Sequence, residues 1–246
     1  MRALLHAEVL KLRTTRGPYV YLFLLVALSA LLAAANATAA HLLDLADPAF
    51  QRDLVSDSVA APLIALVLGI VSVTAEWRHG TITRTLLLSP RRWRVLAAKE
   101  INAFALGVFL ALVGLAVAIA VAAPILSRDG TPLQVDGPFA VRMLEIVLAS
   151  ALWGALGAGL GALVQHQTGA LVGAILWILL VESLLAALFD ALHVDRIDDF
   201  LPRHAFNALA GHQARLSPGA SGAVAAGYVA FFAAIAFLRI RRQDIT

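Results

Sequence analysis

Only one ionisable side chain stands deep inside a long apolar run. Glu182 is the 14th residue counted from Gly169, which places it about 20 Å along a helix that starts there. A carboxylate in hydrocarbon costs a few kcal/mol unless it is protonated or paired. Two uses follow: contact with a cationic cargo or proton along a transport path, or a neutral acid bonded across helices to Ser183 or a neighbouring span. A second group, His193, Asp195, Asp198, Asp199, His204 and His212, has metal-ligating side chains but no tight ligand spacing, and a metal needs three or four converging donors. It is read as a solvated acidic loop, with no metal expected. Cysteine is absent and Lys11 and Lys99 are the only lysines, which excludes thiol chemistry and a P-loop. There is no H-E-x-x-H motif, and Gly219, Ala220, Ser221 and Gly222 begin the last apolar run, leaving no later helix for a histidine base. No nucleophile–base pair can be assembled, so the chain is expected not to be an enzyme.

The elements that position these residues are membrane spans. Of the 246 residues, 61% are hydrophobic and only 14% charged, too apolar for a soluble domain. A helix needs about 20 apolar residues to cross a bilayer. Such stretches fall at about 19–40, 58–75, 101–126, 146–164, 169–189 and 217–238. The fourth and fifth come from one long run that turns at Gln165, His166, Gln167 and Thr168. The fold class is all-α: a single polytopic transmembrane domain of six helices, with an amphipathic N-terminal helix over 1–17. With the N-terminus inside, the cytoplasmic segments carry 13 Lys and Arg and the outer ones six. This bias places both termini in the cytoplasm. Small residues from Ala35 to Ala39 offer a cleavage pattern, but the polar leader and apolar run are too long for a signal peptide, so the segment is expected to stay as the first span.

Within 2–16, Leu5, Val9 and Leu12 form one stripe among Arg2, Lys11, Arg13 and Arg16, suited to the headgroup layer. The 76–100 loop is the one sizeable inner connection. Gly80 is expected to end a helix, and Thr81 to cap a short one carrying Ile82, Leu86 and Leu87. Ser89 and Pro90 restart a helix that runs into span three, with Arg91, Arg92, Trp93 and Arg94 as interfacial anchors. The outer loop 190–215 is expected to form a short interfacial helix around 200–209 that lids the outer side. Gly157-x-x-x-Gly161 and Gly169-x-x-x-Gly173 allow close helix approach, more within one subunit than between two.

Four segments carry a resemblance. Glu8 to Arg16 is similar to the E-x-x-K-L-R-T opening of bacterial ABC-2-type permeases. Glu76 to Ile82 resembles that family's E-x-x-x-G-T pattern. Ser89 to Arg92 and Val95 to Lys99 resemble its S/T-P-R and a-K elements. The chain departs from the family in having Trp77, Arg78 and His79 where a second acid often follows Glu76. The resemblance implies a homodimeric or heterodimeric permease in the bacterial plasma membrane, driven by a separate ATP-binding cassette subunit that holds the ATP and magnesium; the permease itself needs no cofactor. It also implies coupling through Glu76, Trp77, Arg78, His79, Gly80 and Thr81, with Glu8, Lys11 and Arg13 alongside. Few charges line the spans, so a lipophilic or amphipathic compound (drug, antibiotic or lipid-like) is the expected cargo, and nucleic acid is not an expected partner. Alternative readings are a stand-alone secondary transporter using Glu182, and a non-transporting sensor or anchor subunit.

Overall fold

The computed structural model describes residues 2–39, 45–81, 92–193, 198–211 and 216–242. They fold as helices, with no strand among them. Helix α1 (Arg2–Thr14) leads into α2 (Gly17–Ala39), the first span. Next come α3 (Pro48–Asp57) and α4 (Ala61–Arg78), then α5 (Arg92–Arg128) and α6 (Gly137–Val164). The fifth span is α7 (Gln167–Leu176) and α8 (Glu182–Ala191), joined by a π-helical turn at Trp177–Val181. A short α9 (Pro202–Leu209) precedes the last span, α10 (Pro218–Arg242). Six helices are long and apolar enough to cross a membrane, and the molecule is an all-α polytopic membrane protein.

Local sequence explains most of the boundaries. Asp47 caps α3 by accepting from the Ala49 amide at 2.9 Å, with Pro48 at the first helical position. Asp136 does the same for α6 through the Phe139 amide at 2.7 Å. This cap starts α6 at Gly137 instead of near 146, so the helix extends more than two turns before its most apolar part. Gln165 ends α6 in the left-handed region, and His166 caps α7 by accepting from the Gly169 amide at 3.0 Å. That is the tight turn expected there. The break between α3 and α4 leaves the Ala60 amide unpaired within its own chain segment, and Ser29 of α2 accepts from it at 3.1 Å.

The centre of the bundle is α4, α5 and α6, where glycines bring backbones into contact. A Cβ at Gly69 would run into the Gly154 carbonyl oxygen, and one at Gly157 into that of Leu66. Gly107 on α5 approaches the Ser150 carbonyl in the same manner. The Gly157–Gly161 pair therefore packs within the subunit, against α4, as expected. Gly173 meets no neighbouring atom. In the fourth span 78% of the apolar window is buried, but only 11% in the fifth. The fifth span thus presents most of its surface outward.

The two ends of the bundle are fastened differently. At the end bearing Thr15, Arg78, Arg92 and Gln165, Arg92 donates to the Ile240 carbonyl at 2.6 Å and Arg239 to that of Leu163. Arg92 is therefore a helix-to-helix tie, while Arg94 lies 5.5 Å over the Trp93 ring as an interfacial anchor would. At the opposite end, fully buried Gln51 donates to the Leu45 carbonyl and accepts from the Gln134 amide, each at 2.8 Å. Arg142 pairs with Asp53 at 2.8 Å.

Candidate functional site

At the basic end four charged side chains from three elements converge. Lys99 of α5 reaches Glu76 of α4 at 2.6 Å and Glu8 of α1 at 3.3 Å. Lys11 of α1 reaches the same two acids, at 2.6 Å to Glu76 and 2.9 Å to Glu8. All four contacts fall on one oxygen of each carboxylate, so two ammonium groups bridge two acids in a closed ring. The side chains of Lys99, Glu76 and Glu8 are 3%, 6% and 9% exposed, whereas that of Lys11 is 46% exposed. Burial pushes the Lys11 ammonium down, but its hydrogen bonds to Glu76 and Glu8 and their charges outweigh this, and the net shift is upward. The ring binds the amphipathic α1 to the basic ends of two spans. Glu100, the next residue, points elsewhere: its carboxyl oxygens are buried beside Gly159 and have no hydrogen-bond partner among the described residues.

Beyond Glu76 the chain turns outward. The Thr81 amide donates to the Glu76 carbonyl at 3.0 Å and the Gly80 amide to that of Trp77 at 3.2 Å. Gly80 has φ of 65°. This is the Schellman end that a glycine permits, so Gly80 terminates the helix as expected. Arg78, His79, Gly80 and Thr81 are exposed, Trp77 is half-buried, and Arg13 on α1 is exposed. Arg78 donates to His79 Nε2 at 3.2 Å. The nine residues expected to contact a partner thus divide into two sets. Glu8 and Glu76 face inward and hold the scaffold, while the others lie on or near the surface around them. The short helix expected after Thr81, together with Ser89, Pro90 and Arg91, falls outside the described residues.

Glu182 occupies a different site, at the start of α8 immediately after the π turn. Its carboxylate is fully buried and Oε2 accepts from the backbone amide of Arg203 at 2.8 Å. Arg203 is the second residue of α9, whose own N-cap Leu201 supplies no side-chain bond. Glu182 therefore caps another helix from across the bundle, a task the N-terminal amides favour. The Arg203 guanidinium returns the contact, donating to the Ile178 carbonyl at 3.2 Å inside the π turn. His204 Nδ1 lies 3.9 Å from the same carboxylate oxygen. Neither Ser183 nor another span is the partner: Ser183 donates to the Leu179 carbonyl of its own helix.

The outer segment also differs from expectation. The short helix expected there does form, at Pro202–Leu209, but it packs into the bundle instead of lying on its surface. Phe206 is fully buried with its ring centroid 4.3 Å from that of Trp153. Trp153 is seven residues past Ile146, near which the most apolar part of α6 begins, about 10 Å along its axis. Tyr228, inside the last span, donates to the Phe200 carbonyl at 2.9 Å. Irregular backbone at such depth is tolerated where protein covers it. Among the described residues no group of three metal-ligating side chains converges; Asp195 and His212 fall outside them. Asp199 and His204 lie within the dipping segment and His193 at the end of α8.

Sequence reasoning named Glu8, Lys11, Glu76 and Glu182 but gave no role to Lys99 beyond a motif position, and none to Arg203. A signal existed for the first. In a chain with 17 arginines, both lysines stand beside glutamates, Lys11 three residues after Glu8 and Lys99 just before Glu100. No family model and no curated protein matches the chain.

Proposed function

We propose that this chain is the membrane-spanning permease subunit of an ABC-2-type exporter, driven by a separate ATP-binding cassette subunit. In this reading it works as one half of a homodimer or heterodimer in the bacterial plasma membrane, with both termini cytoplasmic, and moves a lipophilic or amphipathic compound outward. The observation that carries the reading is the charged ring. Glu8 with Lys11 belongs to the opening motif, and Glu76 and Lys99 to the two ends of the loop motif, that resemble that family. They meet at one place, at distances of 2.6–3.3 Å. A partner pressing on the exposed Trp77–Thr81 turn would move α1, α4 and α5 as a unit, because the ring and the Schellman turn join them. Glu8 and Glu76 are then the frame of the coupling surface, and Lys11, Arg13, Trp77, Arg78, His79, Gly80 and Thr81 are its face. Glu182 caps α9 through its Oε2, a structural task that accounts for its burial without a transported ion.

The test is purification of the chain from its native membrane, followed by measurement of ATP-dependent efflux. An ATP-binding cassette protein should come down with the wild type. Arg13→Glu combined with Thr81→Arg should release it and abolish efflux while the helical fold stays intact. Efflux that continues without ATP, driven by an ion gradient, would remove the proposal.

A further inference from the structure

We infer that the crevice between the α1–α2 elbow and α4 is a binding site for an anionic phospholipid of the cytoplasmic leaflet. The crevice encloses about 510 Å³, within the range of small-ligand pockets. Its chemistry changes along its length. One wall is apolar, made by Tyr21 of α2 with Leu68 and Val71 of α4. These side chains lie on spans, at the level of acyl chains. The mouth is basic and lies at the membrane edge: Lys11, Arg78 and His79 line it. The acids that also border it are already matched, since Glu8 and Glu76 are held by Lys11 and Lys99. The ring is neutral as a whole, and Arg78 is the surplus charge. It is exposed and makes no ion pair among the described residues.

An occupant that fits has a phosphate at Arg78 and His79 and a chain against Tyr21, Leu68 and Val71. Anionic lipid is drawn to basic residues at this depth, and the wall excludes a purely polar anion from most of the volume. The inference does not depend on whether an ATPase drives the chain; if one does, Arg78 and His79 serve both the lipid phosphate and the partner's contact face.

Native mass spectrometry of the full, delipidated protein tests it, with added phosphatidylglycerol and phosphatidylcholine as probes. The wild type should retain phosphatidylglycerol preferentially. Arg78→Glu should weaken that retention about tenfold or more and weaken phosphatidylcholine much less. Choline's ammonium offsets the phosphate that both headgroups carry, so the preference between the two lipids is lost. Val71→Trp, which fills the apolar wall, should lower occupancy by both lipids, while Leu63→Trp, exposed elsewhere on α4, should not. If Val71→Trp does not fold, Arg78→Glu and the preference between lipids still decide. Equal retention of the two lipids by the wild type, or no loss in Arg78→Glu, overturns the inference. So does full competition by glycerol phosphate alone, which would make the site a simple anion site.

Discussion

Lys99 is the residue on which the basic end depends most, because its ammonium is almost wholly buried and bonds two carboxylates. Removing one partner from a buried ion pair costs about 3–5 kcal/mol, since the other charge is left uncompensated. Lys99→Met should therefore lower the unfolding free energy by about that amount, measured by denaturant titration in micelles. Pairing it with Glu76→Gln leaves Lys11 and Glu8 balanced, and the double variant should recover most of the loss. Additive losses would mean that the ring is not a coupled unit. Lys11 supports a statement about pH. Its charged form is favoured in the folded protein, so its pKa lies above the ordinary 10.5. The stability it contributes is complete below that value and fades as pH rises through the raised one. Thermal unfolding followed between pH 9 and about 12 should show this alkaline loss, and Lys11→Met should flatten it.

Among the elements, α9 is held in the bundle from two sides, by Glu182 at its N-terminus and by Trp153 against Phe206. Glu182→Gln keeps an oxygen that can accept from the Arg203 amide, so its unfolding free energy should stay within about 1 kcal/mol of wild type. Glu182→Leu abandons that amide in an apolar site and should cost about 1–3 kcal/mol. Equal effects of the two changes would argue that the carboxylate does something other than capping. The π turn preceding Glu182 belongs to the same arrangement, because its Ile178 carbonyl accepts from Arg203. The glycine contacts of α4, α5 and α6 are the other element-scale feature. Gly154→Val forces a side chain into the Ala103 carbonyl and should destabilise by about 1–3 kcal/mol or more. Gly173→Val meets open space and should stay within about 0.5 kcal/mol of wild type. Circular dichroism melts of the two variants separate these outcomes.

For the whole molecule, orientation in the membrane comes from the excess of basic residues at one end, and the absence of cysteine makes it directly measurable. Asp129→Cys and Ser217→Cys, both exposed at the end opposite the charged ring, should react with an impermeant thiol reagent on intact cells. Thr15→Cys and His79→Cys should react only after permeabilisation. Labelling of position 79 from outside would reverse the topology. Ser56, which the sequence places among the outer residues, is 2% exposed and would be a silent position.

Hydropathy and charge were enough to place six spans, the turn at Gln165–Thr168 and the glycine end at Gly80, because each depends on composition or on contacts within a few residues. The same local logic covers the amphipathic α1 and the glycine spacing on α6. It does not reach Glu182, whose partner amide lies 21 residues away on a helix with little apolar character. Nor does it reach the ring, where Lys99 meets an acid 91 residues distant. An acid next to basic residues reads as part of a solvated surface until folding removes the water. The dip of α9 is the clearest case: Pro202–Leu209 is polar enough to suggest the membrane surface, and only packing against α6 and α10 draws Phe206 inward. Sequence determined which segments enter the membrane, since transfer from water is a property of each segment. Tertiary structure decided which charges are paired and which helix lies inside another's shelter, since those depend on distances between segments that no local pattern contains.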